Sequence, residues 1–370
     1  MPFKIYDTII IGAGIAGASF AYTLTKQNQK VLVLDKNGIA SGGSGAAGAF
    51  VSPKIGKGSA LQTLTNEAFL FAKEFYLSTC SEHFHQTGVI RIPKDEADAQ
   101  KFSEYEKFND TVYENYSKEK LQSLGIDVNF DSFYFPDAGD CDAPKVCAFL
   151  LRDIEFVQYE VEKLCKEEGL WTLGDYKAKN IVLATGYESN LTDLRYMGIR
   201  GTWGTRGDFS SKLALDVSMH QSMSVGANVG GIIKLGATHE KEVKEIVPCT
   251  EEQALSLKEK ASLLIETLDL KLVETFCGMR AGSKDYFPLV GRVIDAPMML
   301  ETYPAIVRGA KPALAYIDNL YVLNGLGGRG FVFAPLMAKR LAEHMLEGKE
   351  IDKRINPDRL FLKWCRKTSF

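Results

Sequence analysis

The stretch that decides the fold is Ile5-Tyr6-Asp7-Thr8-Ile9-Ile10-Ile11-Gly12-Ala13-Gly14-Ile15-Ala16-Gly17, continuing to Val31-Leu32-Val33-Leu34-Asp35. Ile5, Thr8 and Ile9 to Ile11 are β-branched and nearly continuous, which marks a buried strand. The glycines at 12, 14 and 17 fit the G-x-G-x-x-G pattern. A helix is expected over 16–26 and a second strand over 31–34, closed by Asp35, 21 residues after Gly14. In that order the parts form a dinucleotide-binding fingerprint. Gly12 permits the tight turn, Gly14 lets the backbone approach a pyrophosphate, and Gly17 lets the helix pack on the strand. The helix start at Ile15 and Ala16 offers unpaired N–H groups and a positive dipole end to phosphates. Asp35, with Lys36 beside it, faces a ribose diol. An acid there disfavours a 2′-phosphate, so FAD or NAD is expected rather than NADP. The competing reading is a glycine-rich turn in an α/β domain that binds nothing.

A second run of small residues follows, Ser41-Gly42-Gly43-Ser44-Gly45-Ala46-Ala47-Gly48-Ala49. It is pinned between the fingerprint and a helix that opens with the capping box Ser59-Ala60-Leu61-Gln62. Leu61, Leu64, Ala68, Phe71, Ala72 and Phe75 then make one apolar stripe. This context favours close approach to a flat ligand, through Ser44, Gly45, Ala47 and Gly48, over a flexible linker. Further along, 154–161 is predicted as a strand, with Val161 at its end. Another strand over 180–183 runs into Ala184-Thr185-Gly186. Residues 200–270 are expected to form an antiparallel sheet, with a helix over 251–268. A last strand over 319–323 leads into Gly325-Leu326-Gly327-Gly328-Arg329-Gly330-Phe331 and a final helix over 335–346. The glycine-rich turn again aims a helix N-terminus at a ligand.

Composition sets outer limits. The 370 residues are 45% hydrophobic and 25% charged, the balance of an ordinary globular protein. Net charge is −3, which does not suggest a generic nucleic-acid binder. Residues 349–370 carry seven Lys/Arg and three acids, a local +4 that reads first as a solvated tail and second as a polyanion patch. Seven Cys without a C-x-x-C pair argue against a disulfide scaffold or zinc ribbon, and no metal site is expected. The 18 uncharged residues from Thr8 to Thr25 have the length of a membrane span, but their glycines, serine and threonines fit a strand, turn and helix better. No signal peptide is apparent, and the cytoplasm is the expected compartment.

Taken together, Gly12–Asp35, Ala184-Thr185-Gly186, Arg280…Asp285…Pro288…Gly291 and Gly327–Phe331 resemble the D-amino-acid/glycine/sarcosine oxidase (DAO) family of FAD enzymes. Within it, Ser44-Gly45…Gly48-Ala49, Asn66-Glu67-Ala68-Phe69, Leu235-Gly236-Ala237-Thr238-His239-Glu240 and Ile355-Asn356-Pro357-Asp358-Arg359-Leu360 resemble the oxidoreductase half of the MnmC family of bifunctional tRNA wobble-uridine modification proteins. The pattern departs from MnmC at Ala46, Ala281 and Ser283, and a fingerprint beginning at residue 12 leaves no room for the methyltransferase half. The resemblance implies a Rossmann-like FAD-binding domain over 1–80, 141–200 and 271–370. An interleaved α+β substrate domain with a mainly antiparallel sheet is implied over 81–140 and 201–270. It implies FAD as cofactor and tRNA as substrate, leaves a separate methyltransferase open as a partner, and implies no membrane. The implied reaction is oxidation of a glycine unit on a secondary amine, with the imine hydrolysing to amine and glyoxylate. The alternative is oxidation of a free glycine, sarcosine or D-amino acid. Arg280 matches the family's carboxylate-binding Arg, unless it forms a salt bridge to Asp285. Arg329 sits in the flavin-side loop with Gly325, Gly327, Gly328, Gly330 and Phe331. Cys277 reads as an ordinary buried thiol. None of the five His stands out as a base. If RNA is the substrate, Arg195, Arg200, Arg206, Lys54, Lys57 and the tail should share one face.

Overall fold

The computed structural model describes residues 4–188, 190–241, 243 and 248–367. In chain order, the strands that build the site are β1 (Ile5–Ile11), β2 (Val31–Asp35), β3 (Phe50–Val51), β4 (Val89–Arg91), β5 (Ser132–Phe135), β6 (Glu155–Gln158) and β7 (Tyr176–Leu183). They continue as β8 (Arg200–Ser210), β9 (Ser218–His220), β10 (Ile232–Gly236), β11 (Lys271–Gly282), β12 (Leu289–Ile294) and β13 (Tyr316–Asn324). The helices that frame them are α1 (Ile15–Thr25), α2 (Ala60–Thr79), α3 (Glu251–Ala261), α4 (Gly330–Glu347) and α5 (Asp358–Cys365).

An eight-stranded sheet holds the fingerprint. β1 lies between β2 and β7, parallel to both. β6 extends the parallel set beyond β2, and β13 runs parallel to β7. Ile9, Ile10, Leu32 and Val33 are fully buried because both faces are covered. The β6 strand is shorter than the expected 154–161, since its ladder stops at Gln158 opposite Asp35, where β2 itself ends.

The second sheet has nine strands and is antiparallel except where β4 runs parallel to β9. β11 pairs with β8 over eleven positions, from Arg200 opposite Gly282 to Ser210 opposite Lys271. Residues 271–282, grouped with the cofactor domain on sequence grounds, are thus built into the sheet that contains β8. The helix expected over 251–268 ends at Ala261. Turns there swing Leu264 and Ile265 into the core behind this sheet.

Two further expectations are corrected. The helix predicted over 335–346 begins five residues earlier, at Gly330, and carries Pro335 inside it. Proline has no N–H for the carbonyl four residues back, here that of Phe331. The buried Tyr76 hydroxyl of α2 donates to that oxygen at 2.8 Å instead. Nor is 349–370 a solvated tail: α5 packs Phe361 and Cys365, both 0% exposed, onto Tyr196 and Met197 behind the first sheet. Residues 368–370 lie outside the described set.

Candidate active site

Gly12 and Gly17 press against backbone, and Gly14 against the Ser44 side chain. Gly12 has φ +113°, and a Cβ there would lie 2.3 Å from the Ala184 carbonyl oxygen. A Cβ on Gly17 would lie 1.9 Å from the Gly12 oxygen. Side chains are therefore excluded where β1, α1 and β7 converge. Gly14 caps α1 without a side-chain partner, and Ser44 Oγ accepts from Ile15 N–H at 2.9 Å. Asp35 holds the surrounding loops: Oδ2 accepts from Ala13 N–H at 2.8 Å, and Oδ1 from Asn37 and Gly38 N–H. Lys36 turns outward to Glu188, whose hydrogen bond raises its pKa. Val161, beyond the end of β6, is half-buried against the second core.

Beyond β7, Ala184 N–H donates to the Ile11 carbonyl at 2.8 Å. Asn324, not anticipated from sequence, is buried at the end of β13 and donates to the Gly186 carbonyl at 2.9 Å. The hydroxyl of Thr185 is buried without a hydrogen-bond partner, and such an orphan normally calls for a ligand or water. Gly325 and Gly327 adopt positive φ, +70° and +59°. A Cβ on Gly330, at the start of α4, would lie 3.2 Å from Ile15 Cγ2 at the start of α1. Two helix N-termini thus converge on one glycine-lined cradle. Its donor set suits a dinucleotide: free N–H groups, an acid, and no side chain in the way. FAD fits these residues.

The small-residue loop joins this cradle to the second sheet. A Cβ on Gly43 would meet the Met279 carbonyl oxygen at 2.5 Å, and one on Gly278 would meet Gly43 Cα at 3.0 Å. Beneath the loop lies Arg206, 3% exposed. It donates to the carbonyls of Gly45 and Ala47, pairs with Asp208 at 2.8 Å and stacks on Phe276. Arg206 is therefore a structural strut rather than surface charge. Lys54 is half-buried, Lys57 pairs with Glu104, and Arg195 pairs with Asp193 beside Trp364. Of the six parts expected to share one basic face, Arg206 is buried and Lys54 half-buried, while Arg195 lies beside Trp364 of the tail.

Arg280 projects from β11 with its Nη2 donating to the Thr238 carbonyl at 2.7 Å, and burial lowers its pKa. The alternative partner, Asp285, is taken by Arg359 in a two-pronged pair at 2.8 and 2.9 Å. Among the described residues no carboxylate pairs with Arg280. Its Cδ lies 3.9 Å from where a Gly328 Cβ would stand, so it borders the loop of the second glycine turn. Arg329 donates to the Ser52 carbonyl at 3.3 Å, and burial brings its pKa down to about 10. Sequence reasoning missed Arg91. Its signal was a lone charge in the apolar run Val89-Ile90-Arg91-Ile92. His220, one of the five His that did not stand out as a base, is an imidazole that burial drives down to about 2. Cys277 is not a free thiol: it is disulfide-bonded to Cys249, 28 residues away, a pairing that depends on how the chain returns beside β11.

A family model described as FAD dependent oxidoreductase (DAO) matches residues 7–344. The chain belongs to this family. Like other DAO members it is an FAD-dependent oxidoreductase. Curated relatives include the tRNA 5-methylaminomethyl-2-thiouridine biosynthesis bifunctional protein MnmC of Shewanella amazonensis, 25% identical over 99% of this chain and 61% of that protein. MnmC of Maricaulis maris is 26% identical over 92% of this chain and 52% of that protein. The chain thus spans between half and two thirds of these relatives. Glycine oxidase from Bacillus cereus shares the fold at a TM-score of 0.78 and 19% identity, covering 96% of this chain and 98% of that one.

Proposed function

We propose that this DAO-family protein removes the carboxymethyl group from 5-carboxymethylaminomethyl-(2-thio)uridine at the tRNA wobble position, leaving 5-aminomethyl-(2-thio)uridine. The MnmC relatives support tRNA as the substrate, and the glycine-oxidase fold supports a glycine unit as the part that reacts. Bound FAD would accept two electrons from the carbon beside the amine, and water then splits the resulting imine into amine and glyoxylate. The observation that carries the reading is the desolvated Arg280, without a carboxylate partner among the described residues. A guanidinium fork in that state is made to take a carboxylate in two parallel hydrogen bonds. FAD would be held by Gly12, Gly14, Ile15, Ala16 and Gly17, by Asp35, by Ser44 to Gly48, by Ala184 to Gly186 and by Gly325 to Phe331. Arg329 and the N–H groups at the start of α4 would place positive charge beside the flavin.

In this reading the protein works in the cytoplasm and a methyltransferase follows it; among the described residues no helix is long and apolar enough to cross a membrane. The test is anaerobic bleaching of the flavin by glycine, by sarcosine, or by tRNA carrying the carboxymethylaminomethyl group. Bleaching by that tRNA with release of glyoxylate is expected. Bleaching by a free amino acid with tRNA inert would overturn the proposal.

A further inference from the structure

A second group of cations, half-buried, gathers around the Ser52 segment. In β4, Val89 packs with the helices of the first sheet while Ile90 faces the core behind the second. Strand alternation puts Arg91 on the Val89 side, facing the cofactor-binding half. β9 runs parallel to β4 with His220 opposite Arg91. Met219 lies in the rear core, so His220 faces the same way. From the other side comes the extended segment after β3. Its Ser52 carbonyl holds Arg329, and two residues on, Lys54 N–H is fixed by Asn66 Oδ1 at 2.7 Å.

The four groups sense one another. Burial and then Arg329 depress Arg91, to about 9. Lys54 is lowered by burial, then by Arg329 and Arg91. His220 is held neutral by burial and by the same two guanidiniums, and its Nδ1 is engaged with Ser224 Oγ at 2.8 Å. Among the described residues no ion pair is made by Lys54, Arg91 or Arg329; Asp98 is the sole acid acting on Arg91, behind burial and Arg329. Arg280 and Arg329 are anchored on different carbonyls, those of Thr238 and Ser52, and His239, next to Thr238, acts on His220 from the Arg280 side. Gathering like charges in a half-buried place with Asp98 as the one acid acting on Arg91 is unfavourable. An oxyanion among them would remove that penalty.

We propose that Arg91 and Lys54, flanked by Arg329 and His220, form a second oxyanion subsite. It holds another anionic group of the substrate while Arg280 holds the carboxylate of the carbon to be oxidised. The inference rests on the role given to Arg280 above. Its substrate class is an amine bearing two separated oxyanions. The second oxyanion is a phosphate if the substrate is a nucleotide unit of RNA, or a second carboxylate if it is a small dicarboxylic amine.

The test is calorimetric titration of the FAD-loaded protein with acetate, inorganic phosphate, uridine 5′-monophosphate and thiodiacetate, a dicarboxylate with no amine to oxidise. Phosphate and acetate should bind together rather than compete. Arg91→Gln and Lys54→Gln should each weaken phosphate by roughly tenfold or more while leaving acetate nearly unchanged, as expected for a lost charge-assisted hydrogen bond. Arg280→Gln should do the reverse, and Arg91→Lys should restore part of the phosphate affinity. The nucleotide and the dicarboxylate then identify the source, by which of them loses affinity in Arg91→Gln. Competition between acetate and phosphate, or phosphate affinity indifferent to both Arg91→Gln and Lys54→Gln, would overturn the proposal. Because binding is read without turnover, failure of the tRNA reaction and failure of this subsite are separate results.

Discussion

Tyr76→Phe removes one oxygen atom from a fully buried ring and nothing else. That oxygen donates to the Phe331 carbonyl, whose usual helical donor is missing because residue 335 is proline. The carbonyl would be left buried and unpaired, at a cost of about 1–3 kcal/mol. Pro335→Ala supplies an N–H at the position that reaches Phe331 O in an unbroken helix. In that background the tyrosine hydroxyl competes for an acceptor that is already satisfied, and its deletion should cost well under the first figure. The double-mutant cycle should therefore show a coupling of about 1 kcal/mol or more between two residues 259 apart in sequence. Urea unfolding of the two single variants, the double variant and the parent measures it, with an unchanged slope as the check on two-state behaviour. An equal cost for Tyr76→Phe in both backgrounds would refute the reasoning. The hydroxyl would then stabilise the fold through something other than the carbonyl that Pro335 leaves free.

Arg280→Lys keeps the charge but loses the fork, so kcat/KM should fall roughly 10- to 100-fold with the flavin spectrum intact, a loss of about 1.5–3 kcal/mol. Phe361→Ala should destabilise the protein by about 3–5 kcal/mol in urea unfolding, whereas a solvated tail would give a change within about 0.5 kcal/mol. The carboxyl of Asp142 is held far below its ordinary value, first by the His85 hydrogen bond and then by Lys234 at 3.0 Å against the pull of burial. Its folded pKa lies below its unfolded one, so its contribution is complete above about pH 4 and is lost as the pH falls further. Asp142→Asn should flatten the acid limb of stability measured between pH 5 and pH 2; an unchanged limb would place the acid sensitivity elsewhere.

What could be read from sequence was local. The run Ile5–Asp35 fixes strand, turn, helix and strand within about thirty residues, because β-branched content, glycine spacing and the terminal acid all act on near neighbours. The turns at 184–186 and 325–331 were legible for the same reason. What escaped depended on partners distant in the chain. The helix start at Gly330 needs Tyr76 to rescue a carbonyl that proline abandons. Arg206 looks like surface charge until the loop at 45–47 folds over it. The basic count in 349–370 concealed Phe361 and Cys365, spaced to bury one face of a helix. Cys277 finds Cys249 only through the return of the chain beside β11. Arg91 and His220 become neighbours through a parallel pairing between strands about 130 residues apart, which no spacing rule reveals.

Gly43 and Gly278 touch backbone to backbone, and the strand that bears Arg280 there meets the loop that lines the nucleotide cradle. Side chains ordinarily act as cushions between moving parts, yielding by rotamer change before the main chain shifts. At this seam the side chain nearest Gly278 is the Ala46 methyl, which has no rotamer to yield, so displacement of the strand carries directly into the loop. The Arg280 strand and the glycine-lined cradle must therefore move together. A single methyl group at either glycine would have to be answered by rebuilding both walls.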